Sequence, residues 1–264
     1  LKEANTNLSA AYTDIKDSIN YAKRIQEAIL TYDADIKRDL PEHFILFKPR
    51  DVVSGDFYWY QKKGNKVFIA AVDCTGHGVP GAFMSIIGNS LLNEVINEIQ
   101  NDDSPASILN SLRMKIISAL KQTGAENESK DGMDMSICSF DFENKKLMYS
   151  GANNPLYIIR NGKLIEIKAD KQPIGIYSGH QKPFTNHSFE ALKGDCFYLF
   201  TDGYADQFGG EKGKKFLYTR FKELLISLSG KPMNKQHEEI LKTFESWKTK
   251  TDQVDDVLVI GIKV

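Results

Sequence analysis

Val67-Phe68-Ile69-Ala70-Ala71-Val72-Asp73-Cys74-Thr75-Gly76-His77-Gly78-Val79-Pro80-Gly81-Ala82 is the stretch on which the fold turns. Six apolar residues run without a polar interruption and stop at an aspartate. A strand that does not alternate apolar with polar residues suits a position covered on both faces. Lys63-Gly64-Asn65 is a hairpin signal that joins it to an earlier strand over 57–61. Beyond the glycines, a helix is expected over about 80–99, with Pro80 in its first turn and Phe83, Ile86, Ile87, Leu91, Val95 and Ile99 on its core face. Asp103-Ser104-Pro105 opens a second helix to about 121, with Ile108, Leu112, Ile116 and Leu120 inside.

Outward from that stretch the pattern repeats. Short apolar runs predict strands over 44–47, 133–141, 146–150, 156–160, 163–167, 197–201 and 257–264, and 124–131 reads as loop. Asn161-Gly162 is a strong two-residue hairpin signal. Helices are expected over 216–228 and 235–249. Strands joined by hairpins imply antiparallel sheets, and helices arriving in consecutive pairs imply covers for the faces of those sheets. The expected fold class is therefore α+β, a sandwich with two sheets inside and helices outside.

The N-terminal residues differ in kind. No Gly or Pro occurs before Pro41, and 1–30 reads as one helix. Leu1, Leu8, Ile15, Ala22 and Ile29 recur every seven residues, and Ala4, Ala11, Ser18 and Ile25 form a second row. The alternatives are a dimer-forming stalk and an amphipathic helix lying on the domain that follows. The chain thus divides into a coiled-coil-like linker, 1–40, and one α/β domain, 41–264.

Composition narrows the function classes. With 41% hydrophobic and 26% charged residues, the 264-residue chain suits a soluble globular protein with a core of its own. A formal net charge of −1 supplies no long-range field for nucleic acid or anionic membrane. The basic run at 211–215 reads as solvated surface. Cys74, Cys138 and Cys196 form no CxxC pair, which argues against a disulfide framework or a zinc site and for a reducing, cytoplasmic setting. No apolar run reaches the roughly 18 residues that span a bilayer. A start at Leu1 inside helical sequence suggests a fragment, with a sensor region or membrane attachment upstream.

The chemistry is expected where strands end. Asp73 ends one apolar run, Asp202 another, Asp255 and Asp256 open the last strand, and Asp56 precedes the strand over 57–61. One such aspartate is an ordinary turn residue; aspartates at four such places beside buried strands exceed what turns need. Strand ends in one sheet lie near each other, so these carboxylates are candidates to converge. Oxygen ligands without His or Cys select magnesium, manganese or calcium. Two such ions roughly 3.5–4 Å apart would share a bridging carboxylate and activate a water for attack on phosphorus. The residues alone leave open the plainer explanation of helix and strand caps.

Six motifs in order carry a resemblance. Arg50-Asp51-Val52-Val53-Ser54-Gly55-Asp56-Phe57-Tyr58 and the 71–82 segment quoted above come first. Ser150-Gly151-Ala152-Asn153-Asn154-Pro155, Pro173-Ile174-Gly175, Leu199-Phe200-Thr201-Asp202-Gly203 and Asp255-Asp256-Val257-Leu258-Val259 follow. Over about 44–264 the chain resembles the SpoIIE-type branch of the metal-dependent, protein phosphatase 2C-like serine/threonine phosphatases. The resemblance implies an α-β-β-α sandwich and two divalent cations, Mn2+ or Mg2+. It implies that Asp73 bridges the cations, that the carbonyl of Cys74 completes the second, that Asp202 and Asp255 hold the first, and that Asp56 acts beside them directly or through a water. Many relatives have Gly where Cys74 stands, but only a carbonyl is required; an oxidation-sensitive thiol is the alternative to a passive buried one. His77 is a candidate general acid for the leaving serine oxygen, against simple packing in the Gly-His-Gly turn. Arg50, with Lys48, is a candidate phosphate clamp, against a salt bridge near a strand end. Asp131 and Asp134 are candidates for an additional weak metal.

The resemblance also implies a partner. Relatives lie downstream of sensor domains and dephosphorylate small regulatory proteins, often an anti-sigma-factor antagonist. Regulation through the N-terminal helix and homodimerisation along it are the corresponding expectations. Two other classes compete: a phosphoprotein-binding docking module of the same fold without catalysis, and a coiled-coil adaptor. Loss of metal aspartates would mark the former, and none is lost.

Overall fold

Side-chain alternation sorts each strand residue into one of two cores, as a two-residue period requires. In β3 (Lys66–Cys74), Phe68, Ala70 and Val72 join one apolar cluster, and Val67, Ile69 and Ala71 join another. The strand is thus buried on both faces. These features come from a computed structural model that describes residues 2–29, 33–99, 103–125, 130–177, 179 and 181–264. Leu1, the junction at 30–32 and loop positions 126–129 lie outside the described residues.

β3 lies between β2 (Phe57–Lys63) and β4 (Met133–Asp141); β5 (Lys146–Ala152) and β8 (His187–Glu190) complete an antiparallel sheet ordered β2-β3-β4-β5-β8. The second antiparallel sheet is ordered β1-β12-β9-β6-β7, from β1 (His43–Lys48), β12 (Val257–Lys263), β9 (Cys196–Phe200), β6 (Leu156–Arg160) and β7 (Lys163–Ile167). Tyr149, Leu156, Phe197, Leu199, Leu258 and Ile260 meet β3 between the sheets. α3 (Gly78–Glu98) and α4 (Pro105–Ala119) cover the outer face of the first sheet, and α6 (Tyr218–Leu228) and α7 (Met233–Lys248) that of the second. The expected α-β-β-α sandwich is the fold.

Local chemistry explains most boundaries. Asn161 and Gly162 both have positive φ, 51° and 72°, the requirement of the two-residue turn that joins β6 to β7. Ser104 caps α4 by accepting the Ser107 amide, with Pro105 in the first turn. The face of α3 agrees with the expectation at Val95, which is buried, and at Ile87, Leu91 and Ile99, which pack against the core, but Phe83 is 64% exposed, and the most deeply buried positions include Gly81, Met84, Ser85, Gly88, Leu92 and Ile96. A Cβ at Gly88 would press on Met133 and Phe57, so small residues let the helix approach the sheet more closely than its bulkier face would.

Shorter elements escaped the periodicity: α2 (Asp33–Asp39), β8, α5 (Gly203–Asp206), β10 (Phe208–Gly209) and β11 (Lys214–Lys215). α2 is part of the packed body, since Ile36 and Leu40 are buried between the sheets. α1 (Lys2–Ile29) is one helix, with Leu8, Ile15, Ile25 and Ile29 exposed. Among its described side chains only Gln26 is buried. No described helix is long and apolar enough to cross a membrane.

Candidate active site and metal centre

Asp73 lies one residue from the end of β3, in phase with Val67, Ile69 and Ala71, so its carboxylate enters the gap between the sheets. Asp134 faces it in register from β4. From the other sheet come Asp202, immediately before α5 and two residues past β9, and Asp255, two residues before the neighbouring β12. A cavity of about 230 Å³ at this rim is lined by Asp73, Asp134, Asp202 and Asp255, together with Cys74, His77 and Pro173. Each sheet supplies two carboxylates, and the sandwich edge sets them face to face.

Backbone approach closes this end of the molecule. A Cβ on Gly55 or Gly81 would collide with the Gly76 carbonyl oxygen, so the 50–56 loop, the 74–78 turn and the start of α3 interlock only as glycines. A Cβ on Gly203 would strike the Asp256 carbonyl oxygen; its absence lets α5 start against the Asp255-Asp256 segment. Asp256, 2% exposed, holds the loop: its Oδ1 accepts the Arg50 amide at 2.7 Å and its Oδ2 accepts the Gly55 amide at 2.8 Å and that of Asp56 at 3.4 Å. On the far side of the loop, Gln26 of α1 donates to the Ser54 carbonyl (2.6 Å) and to Ser85 Oγ of α3 (2.8 Å), and accepts the Ser54 amide (3.1 Å).

The carboxylates strain against one another. Burial, and then the charge of Asp73, pushes Asp56 far above the usual carboxylate range. Burial, then Asp202 and Asp255, does the same to Asp73, which also lies within hydrogen-bonding reach of Asp56. Asp202 is pushed up to about 6 by burial and by Asp255. Burial also raises Asp255 and Asp134, the latter against a 2.8 Å hydrogen bond from Asn153 Nδ2. The positive groups within reach, Lys215 for Asp202, Lys171 for Asp134 and Arg50 for Asp255, do not offset this, and Asp56 Oδ2 is buried with no hydrogen-bond partner. Among the described residues, no three Asp, Glu, His or Cys side chains close on a single point as a tight cage. Hard cations that keep part of their water shell need only one or two carboxylates each. The donor set, all oxygen and spread round a cavity, fits such ions.

Of the residues singled out from the sequence, Asp73, Cys74, His77, Asp202 and Asp255 line this cavity. Asp56 is 3% exposed and lies beside Asp73 without lining the cavity. Arg50 is exposed, within electrostatic reach of Asp255. Lys48 pairs with Glu245 at 3.0 Å, the salt bridge that was the alternative to a phosphate clamp. Asp134 lines the cavity and Asp131 does not.

The model of the family described as Stage II sporulation protein E (SpoIIE) matches residues 63–264. The chain belongs to the SpoIIE family. As a member of this PP2C-like family it is a protein-serine/threonine phosphatase. The SiaA-PP2C domain of Pseudomonas aeruginosa is similar over 97% of this chain and 99% of its own, at 34% identity and a TM-score of 0.87. The PP2C domain of SpoIIE from Bacillus subtilis, solved with a fragment of its regulatory domain, shares the fold at 18% identity and a TM-score of 0.65, over 84% of this chain and 61% of that one. The RsbU and RsbW domains of Rv1364c from Mycobacterium tuberculosis share it at 19% identity and 0.65, over 85% and 60%. No curated protein sequence matches at comparable significance.

In this SpoIIE-family chain, two residues that position the site have roles the sequence does not assign. Asp256 is among the strand-end aspartates of the sequence, and its part as the acceptor beneath the 50–56 loop goes with its phase: adjacent residues at a strand start point to opposite faces, and Asp256 is in phase with the inter-sheet residues Leu258 and Ile260. Gln26 carried no signal, because a glutamine in a polar helix becomes special only through the groups packed beside it.

Proposed function

We propose that this chain hydrolyses phosphoserine or phosphothreonine on a regulatory protein, using two divalent cations, Mn2+ or Mg2+. The observation that carries this reading is the meeting of Asp73, Asp202 and Asp255, from separate strand ends, at one cavity. Asp73 would bridge the cations, with the Cys74 carbonyl on one and Asp202 and Asp255 on the other. When bound, the cations would polarise the phosphoryl oxygens and lower the pKa of the attacking water. Asp56, buried beside Asp73, would act near the cations directly or through a bound water. Arg50 would approach the phosphate from the rim, where a planar guanidinium suits two phosphate oxygens. His77 would protonate the departing serine oxygen.

Regulation through the N-terminal helix is supported by Gln26, which ties α1 to the carbonyl and amide of Ser54, two residues before Asp56. Residues 1–40 would act as the linker and 41–264 as the catalytic domain, with α2, at the end of the linker, packed into that domain through Ile36 and the adjoining Leu40. The exposed Leu8, Ile15, Ile25 and Ile29 would pair two copies of α1. Likeness to a structure containing RsbU and RsbW domains supports a phosphorylated regulatory protein of the anti-sigma-factor antagonist type as substrate.

The test is Mn2+-dependent hydrolysis of p-nitrophenyl phosphate by the full chain. Outer-shell partners of a metal typically cost 10–100-fold, so Asp73→Asn is expected to lose at least about 100-fold. Wild type no faster than Asp73→Asn would refute catalysis at this cavity.

A further inference from the structure

One contact at the cavity rim has no part in the chemistry above. His77 Nδ1 lies 2.9 Å from Asp51 Oδ2. A carboxylate only accepts hydrogen bonds, so Nδ1 carries the proton and donates it, which leaves Nε2 as the nitrogen directed away from Asp51. His77 lines the cavity with Asp73 and Asp255, and Asp51 does not. The imidazole therefore bridges from a carboxylate outside the cavity to the space where a phosphoester would sit.

Asp51 is itself held. The Arg50 amide just before it is bound by Asp256 Oδ1, and the Gly55 amide at the far end of the loop by Asp256 Oδ2. Its carboxylate also lies against the first residue of α3: Oδ2 is 3.3 Å from the point a Cβ on Gly78 would occupy. That helix end favours negative charge. A pair whose side chains are 49% and 45% exposed adds little to stability, because water screens both groups. Its value lies in the orientation of the ring.

We propose that Asp51 is a positioning residue for His77. It holds Nδ1–H and the ring plane, so that the protonated imidazolium gives its Nε2 proton to the seryl oxygen and the neutral ring left behind keeps its proton on Nδ1. The proposal rests on the phosphatase reading above and on His77 as its general acid. In the step, the bond between phosphorus and the seryl oxygen breaks and its electron pair goes to that oxygen, which takes the proton from Nε2. Water forms the new bond to phosphorus and loses a proton to solvent, from which His77 is reprotonated. One water is consumed, and serine and inorganic phosphate leave.

A seryl oxygen is a poor leaving group and needs that proton, whereas p-nitrophenolate leaves without it. The experiment compares the full chain with Asp51→Asn, His77→Ala and the double variant. Turnover with Mn2+ is measured on a phosphoserine peptide and on p-nitrophenyl phosphate, and the thermal midpoint of each variant is recorded. General acid catalysis is worth about 100-fold or more, so each single variant is expected to lose about 100-fold more on the peptide than on the aryl ester. The double variant should lose no more than His77→Ala. Independently of turnover, 15N NMR of the neutral imidazole should place the His77 proton on Nδ1 in wild type and shift it towards Nε2 in Asp51→Asn. An unchanged ratio of the two substrates in Asp51→Asn, or an unchanged tautomer, overturns the proposal. Absence of turnover in wild type would overturn the phosphatase reading instead, and the NMR comparison, which needs neither metal nor substrate, would still decide the role of Asp51.

Discussion

Asp255 and Asp256 are chain neighbours whose burial has opposite consequences. Asp256 is surrounded by backbone donors and satisfies three amides of the 50–56 loop. Asp255 is raised by burial and faces other carboxylates across the cavity. Removing the first leaves buried amides without acceptors, at about 1–3 kcal/mol each. Asp256→Ala should therefore destabilise the fold by about 3 kcal/mol in denaturant melts, and it should abolish turnover by releasing the loop that carries Asp56. Asp255→Asn removes one of several like charges. It should leave metal-free stability at or above that of wild type while weakening Mn2+ binding, as calorimetric titration would show. Equal destabilisation by both substitutions would contradict this assignment of roles.

At the scale of elements, α1 is tied to the loop that carries Asp56 by the Gln26 side chain, with a longer contact to α3 from Asn89 Nδ2 to the Ile29 carbonyl at 3.5 Å. Gln26 spends its amide nitrogen and oxygen on Ser54 and Ser85, and so joins α1, the 50–56 loop and α3. Gln26→Ala leaves the Ser54 amide and carbonyl without those partners, a cost of about 1–3 kcal/mol for a buried group. Because Ser54 precedes Gly55 and Asp56, turnover should fall at least as much as stability does. Leu8→Ala and Ile15→Ala, at exposed positions, should instead change self-association in analytical ultracentrifugation and leave the thermal midpoint alone. Turnover unaffected by Gln26→Ala would remove the support for control through this helix. Helix α3 shows why an element can be legible while its orientation is not: its extent follows from apolar content, but its inward face is set by Gly81, Ser85 and Gly88, whose merit is smallness.

For the molecule as a whole, the crowded acidic rim implies an unusual pH response. A carboxyl whose folded pKa is raised contributes its stability below the unfolded value and loses it as pH rises through the folded value. For Asp202 the range runs from 3.8 to about 6, equivalent to about 3 kcal/mol. Asp56 and Asp73 act in the same direction. Metal-free protein should therefore melt at progressively lower temperature as pH rises from about 4 to about 7. Mn2+ should restore stability near neutrality and do little near pH 5, where protons compete for the ligands. Melts with chelator and with Mn2+ across that range test this; metal-free stability that climbs with pH would mean that the rim is not crowded.

The sandwich and its four layers were readable in advance, because period-two alternation, the Asn161-Gly162 turn and the Ser104-Pro105 cap are local rules that act within a few residues. The aspartates at the strand ends were readable for the same reason, since each follows or precedes its own apolar run. Their meeting is a property of strand order: β3 and β4 are neighbours in one sheet, β9 and β12 in the other, and residues more than 180 positions apart face one another only when those sheets stack. The same holds for Asp256 beneath the loop, Gln26 against Ser54 and Asp51 beside His77. Hydrogen bonds between distant segments leave no period in the chain, so tertiary packing alone chose which of many polar residues became part of the site.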